Sequence, residues 1–141
     1  MNRKSLQLFA ALVTFIFVCT APTAIAEEFK GEAITAIISG KTLTGYNVED
    51  RKNVIWYFAE DGQAKLQKNN ITWTGKWRID DTGRLCVQFR DPYSDVLRKE
   101  GCRILAKEND KLVMYGLTKD GQRSGDTMSI DEVLDGNPDN L

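Results

Sequence analysis

Residues 71–89 constrain this chain most. Ile71, Trp73, Gly75, Trp77 and Ile79 alternate with Thr72, Thr74, Lys76, Arg78 and Asp80. Past Asp81-Thr82-Gly83, Leu85, Val87 and Phe89 alternate with Arg84, Cys86, Gln88 and Arg90. Period-two alternation on both sides of an Asp/Gly turn predicts a β-hairpin with one buried face. Trp73, Gly75 and Trp77 then point inward together.

The rest of the chain reads as more of that sheet. Lys41 to Tyr46 is a first strand, and Val54-Ile55-Trp56-Tyr57-Phe58 is built of the best β-formers. The continuous apolarity of residues 54–58 predicts burial on both faces, or aromatics on a partly covered outer face. Residues 63–68 follow a Glu60-Asp61-Gly62 turn, with Ala64 and Leu66 facing one way. Residues 102–106 and 112–117 are two more strands, joined by Glu108-Asn109-Asp110. About seven strands at this short spacing predict a mainly β fold. The expected form is an antiparallel meander closed into a small lipocalin-like barrel or a curled sheet, because closure hides strand edges. Ala33, Ile34, Ile37 and Ile38 sit at helical spacing before Gly40, which predicts a helix over residues 27–39 covering one end. Ser129, with Glu132 three residues on, suggests a short capped helix over residues 129–134. Residues 135–141 read as a flexible tail.

At the N-terminus, Arg3 and Lys4 precede a 12-residue apolar run, residues 8–19, and then Ala24-Ile25-Ala26. This is the pattern of a secretory signal peptide over residues 1–26, cleaved after Ala26. The run falls short of the roughly 20 apolar residues of a membrane span. Lipidation at Cys19 is disfavoured because Ile16, Phe17 and Val18 are large. Residues 27–134 are then a single β-domain, expected in the periplasm, with membrane contact only through the uncleaved signal peptide. Removing Arg3 and Lys4 moves the net charge from −1 to −3. Interspersed charges with that balance disfavour a nucleic-acid partner.

Cleavage leaves two cysteines, Cys86 and Cys102. An exported chain with an even count favours a disulfide between them. Its loop of about 16 residues would contribute roughly 3 kcal/mol. The two strands raise a conflict. With Leu85, Val87 and Phe89 inward, Cys86 faces outward. Opposing Cys86 to Cys102 about Ser94 then places Ile104 outside, unless a bulge shifts the register or a helix covers that face.

Catalytic chemistry is sparsely provided. With no histidine, general acid–base work falls to carboxylates, tyrosines and lysines. Asp80-Asp81, Glu60-Asp61-Gly62 and Lys119-Asp120-Gly121 read as turns. No nucleophile elbow, zinc motif, phosphate loop or EF-hand spacing occurs, so no catalytic residue, metal site or cofactor is expected. The aromatic set is the candidate site. Trp56, Tyr57, Trp73 and Trp77 either fill the barrel or line a ligand cavity or partner patch, and Gly75 leaves a notch between two of them.

Several short motifs together resemble a family of short exported bacterial proteins of unknown function. They are Ser39-Gly40-Lys41-Thr42, Trp56-Tyr57-Phe58-Ala59-x-Asp61-Gly62, Gly75-Lys76-Trp77-Arg78, Leu85-Cys86-Val87 and Cys102. The resemblance spans residues 39–113 and implies one small periplasmic β-domain. Where that family often has an aromatic after the second cysteine, this chain has Arg103. The chain is also similar, more loosely, to small periplasmic barrels that inhibit proteases. The expected function is a non-catalytic periplasmic binding or interaction module for a small molecule or protein. The alternative is an inhibitor of a hydrolase (protease or lysozyme), acting through the N-terminal segment or residues 91–95.

Overall fold

In the computed structural model, which describes residues 26–141, the chain runs in order as β1 (Glu27–Phe29), α1 (Glu32–Ile38), β2 (Lys41–Asn47), β3 (Lys52–Phe58), β4 (Gln63–Lys68), β5 (Ile71–Ile79), β6 (Leu85–Arg90), β7 (Gly101–Glu108), β8 (Lys111–Leu117) and β9 (Arg123–Asp135). The expected signal peptide and Cys19 lie outside the described residues, apart from Ala26. Among the described residues, no helix is long and apolar enough to cross a membrane.

The alternation of the central hairpin sets the register. Trp77 opposes Val87, Gly75 opposes Phe89 and Ile79 opposes Leu85. On the other side of β5, Trp73 opposes Leu66 and Gly75 opposes Ala64. Each of β2 to β9 pairs antiparallel with its sequence neighbour, and β9 pairs back onto β2, so the meander closes into an eight-stranded barrel. Inward positions form one core that includes Leu43, Val54, Trp56, Phe58, Leu85 and Leu105. In β3 the inward Val54, Trp56 and Phe58 are buried, while Ile55 and Tyr57 lie half-buried outside. The second reading of that apolar run therefore holds.

Two expectations change. Residues 27–39 are not one helix. Gly31, at φ 56°, breaks the path, so residues 27–29 extend and pair with β7 at Leu105–Lys107. The helix is confined to the seven residues of α1, whose Ile34 and Ile38 are fully buried. Gly40, at φ 70°, stops it, and its N–H donates to the Phe58 carbonyl at 2.7 Å. Residues 129–134 are strand, not helix. Gly45 opposes Ile130 and Leu43 opposes Val133, with a register shift between Thr44 and Gly45. That bulge puts Ile130 and Val133 on one face at a spacing of three, which imitates helical periodicity. Barrel closure by β9 then overrides the capping signal.

The cysteine conflict resolves without either expected device. Cys86 and Cys102 are directly opposed and bonded. Leu85 faces Arg103 with no intervening shift, so Leu105 points inward and Ile104 is left outside, half-buried. The irregularity lies on the loop side, where Arg90 bridges Leu97. After β9 the chain stays tied to the barrel. The Gly136 N–H donates to the Gly40 carbonyl at 2.8 Å, and the Thr42 hydroxyl donates to the Gly136 carbonyl at 2.7 Å.

Candidate functional site

In an up-and-down barrel, alternate turns fall at opposite ends. α1 closes the end that carries the β3–β4, β5–β6 and β7–β8 turns: its leading Gly31 bonds to Gly83, and its trailing Gly40 bonds to Phe58. The other end carries the β2–β3, β4–β5, β6–β7 and β8–β9 connections. Inward side chains change character toward it along four strands. In β4 they run Ala64, Leu66, Lys68; in β7 they run Leu105, Arg103; in β9, Ile130, Met128, Asp126; in β2, Leu43, Gly45, Asn47. Charge inside a barrel is costly unless paired or wet, so this end is built as a mouth rather than as core.

Local chemistry places each part. Asn69 and Asn70, at φ 54° and 60°, form the tight turn that sets Lys68 opposite Ile71. The row Trp56, Leu66, Trp73 runs across three strands. The Asn47 side-chain Oδ1 accepts from the Asp50 N–H at 2.9 Å, and its Nδ2 donates to Asp126 at 2.7 Å. The other Asp126 oxygen takes an Arg103 N–H at 2.6 Å. The Arg103 guanidinium lies 4.9 Å from the Trp56 ring centroid. Burial pushes the Asp126 carboxyl up, but the Arg103 charge and the bonds from Arg103 and Asn47 outweigh it, leaving it below the ordinary value. Lys68 pairs with Asp50 and Arg98 with Asp91, and Arg98 sits 5.1 Å from the centre of the Trp73 ring.

Trp56, Lys68, Arg98, Arg103 and Asp126 border an open cleft of about 430 Å³. Its lining is apolar at Leu66, Trp73, Val87 and Phe89 and charged at Lys68, Arg98, Lys99 and Arg103, with the single carboxylate of Asp126. A hollow of about 300 Å³ continues past Arg103 and Asp126 toward Asn47 and Asp50.

Comparison with protein-family models, curated proteins and solved structures gives no match.

The aromatic residues singled out in the sequence divide. Trp56 and Trp73 both reach the cleft, Trp73 half-buried and Trp56 only 3% exposed beneath Arg103. Trp77 shares the inward face but lies toward the closed end, where its indole N–H donates to the Ala59 carbonyl at 2.8 Å. Rings link the two regions: Trp77 is edge-on to Phe58, Phe58 stacks on Trp56, and Trp56 tilts against Phe89 at 5.3 Å. Tyr57 is on the outer face, opposite Lys65, away from the others. Gly75 offers no inward notch. A Cβ there would lie 2.1 Å from the Gln88 carbonyl oxygen, so the space is taken by the β6 backbone.

The cationic half of the site was not read from the sequence. Lys68 was available, since it continues the Ala64 and Leu66 face. Asp126 belongs to a part of β9 for which no strand was expected. Asp80, by contrast, does turn chemistry: its carboxylate accepts the N–H groups of Thr82 and Arg84 at 2.9 Å each. Asp80 also meets Cys86 and Cys102 in a cluster of metal-ligating residue types, but the two sulfurs are bonded to each other and present no thiolate.

Proposed function

We propose that this chain is a non-catalytic binding module that takes a small molecule in the mouth of its barrel, and that it works in the periplasm. The observation that carries the reading is the open cleft of about 430 Å³ flanked by Trp73 and by inward-facing charge. Ligand pockets typically span about 300–1,000 Å³, with apolar walls and a few polar groups. The Cys86–Cys102 disulfide suits an oxidising compartment, as does the signal-peptide pattern. The resemblance to short exported bacterial proteins agrees with both. A thermal-shift screen of small molecules tests the reading, with Leu66→Arg as the control that fills the cleft. Expected are ligands that stabilise the wild type and lose their effect in Leu66→Arg. Ligands that stabilise both equally, or none at all, would refute it.

The second reading, a hydrolase inhibitor, has its own support in the β6–β7 connection. Tyr93, Val96 and Leu97 are 79%, 61% and 51% exposed there. The loop is nonetheless held firmly, because Asp91 pairs with Arg98 and accepts the N–H groups of Tyr93 and Ser94. Those bonds, Arg98 first, pull the Asp91 carboxyl down to about 2. Inhibition of a protease or lysozyme that Tyr93→Ala abolishes would favour this reading; a broad panel with no inhibition would remove it.

A further inference from the structure

We infer that the mouth selects organic anions: molecules with an apolar body and one carboxylate or similar acidic head. This rests on the binding reading above and names the ligand class for that same cleft.

The argument is one of which charges face the space. Of the three carboxylates that pair with the cleft's cations, only Asp126 borders the cleft; Asp50, with Glu49, borders the hollow that continues from it, and Asp91 borders neither. The cations themselves do border it. Lys99 adds a fourth and has no ion-pair partner among the described residues.

Arg103 is the central group. Its side chain is 18% exposed, and one N–H goes to Asp126. No buried polar side-chain atom among the described residues lacks a partner. Its Nε and Nη1 bond to no protein acceptor among the described residues, so neither is fully enclosed. Guanidinium presents a fixed fork of donors that matches a carboxylate. Stacking on Trp56 holds that fork in place before a ligand arrives. Arg98, over Trp73, repeats the arrangement. An acidic head placed between Arg103, Lys68 and Lys99 leaves its apolar body against Trp73, Leu66 and Phe89.

Isothermal titration with octanoate and octan-1-ol, equal in chain length and differing in charge, tests this on the full chain with its disulfide intact. Octanoate should bind about tenfold more tightly than the alcohol, the effect of one well-placed charge contact. Its affinity should fall as salt rises, because the rim cations are screened. Lys99→Gln, at an exposed position, should weaken octanoate several-fold and leave octanol unchanged. Asp126→Asn should tighten octanoate by removing the carboxylate that competes for Arg103. Equal affinity for the two probes, or octanoate binding indifferent to both variants, would overturn the anion inference while leaving a binding module. Failure of both probes to bind at millimolar concentration would overturn the inference and the binding reading together.

Discussion

At the helix-capped end, Phe58, Leu43, Leu85 and Leu105 have no accessible surface, and Ile34 and Ile38 of α1 fill the space between them. At the opposite end, the same sheet turns Trp73, Lys68, Arg103 and Asp126 toward an open cleft. One barrel thus carries two chemistries, separated by about two inward residues on each strand. The closed half supplies stability, since burying each large aliphatic or aromatic side chain contributes about 1.5–3 kcal/mol. The mouth contributes less and retains charges that a purely structural barrel would replace with apolar residues. The contrast is the reason the proposed site is the mouth rather than the tryptophans as a set.

Parallel truncations make the sharpest division. Phe58→Ala should cost about 3–5 kcal/mol in urea unfolding, because it empties a fully buried site. Trp73→Ala should cost less than half of that and remove ligand binding. Equal losses of stability would erase the distinction between the two ends. Next in size is the crosslink that joins β6 to β7. Reduction, or Cys86→Ser with Cys102→Ser, should lower stability by about 3 kcal/mol and the Tm by about 10 °C or more. An unchanged melting curve in reductant would show that the bridge is idle.

Two glycines extend the comparison. A Cβ on Gly75 meets the β6 backbone, so Gly75→Ala should push the strands apart at a cost of about 1–3 kcal/mol. Gly101 borders the mouth with nothing within 4 Å of such a Cβ, so Gly101→Ala should melt close to wild type. The smallest effect is the pH dependence carried by Asp126. Its carboxyl lies below its ordinary value of 3.8 when folded. Its contribution is therefore complete above the unfolded value and is lost as pH falls through the folded one. The stability gap between wild type and Asp126→Asn should be present at neutral pH and shrink steadily below about 4. A gap that persists into strong acid would mean that the Arg103 pair contributes nothing.

Much of the closed half was legible in the sequence. The alternation from Ile71 to Phe89 reports the inward face directly, and Gly40 marks the end of α1. The mouth was not, for a physical reason. Its inward positions are polar, so Lys68, Asn47 and Asp126 break the apolar alternation that identifies a strand. β9 was hidden twice, by that polar start and by the bulge that set Ile130 and Val133 three apart. Arg103 stood out only as a departure from an expected aromatic. Its partner lies on β9, so the pairing emerged only with barrel closure. Tyr57 was grouped with Trp56 by adjacency, although neighbours on a strand face opposite ways.

The three tryptophans report on both ends at once, which makes their indole N–H signals the most direct measurement. In a nitrogen–proton correlation spectrum titrated with octanoate, Trp73 should shift progressively to saturation. Trp77, bonded to the Ala59 carbonyl at the closed end, should stay in place. A Trp77 signal that moves as far as Trp73, or a Trp73 signal that does not move at saturating octanoate, would contradict a ligand site in the mouth of this barrel.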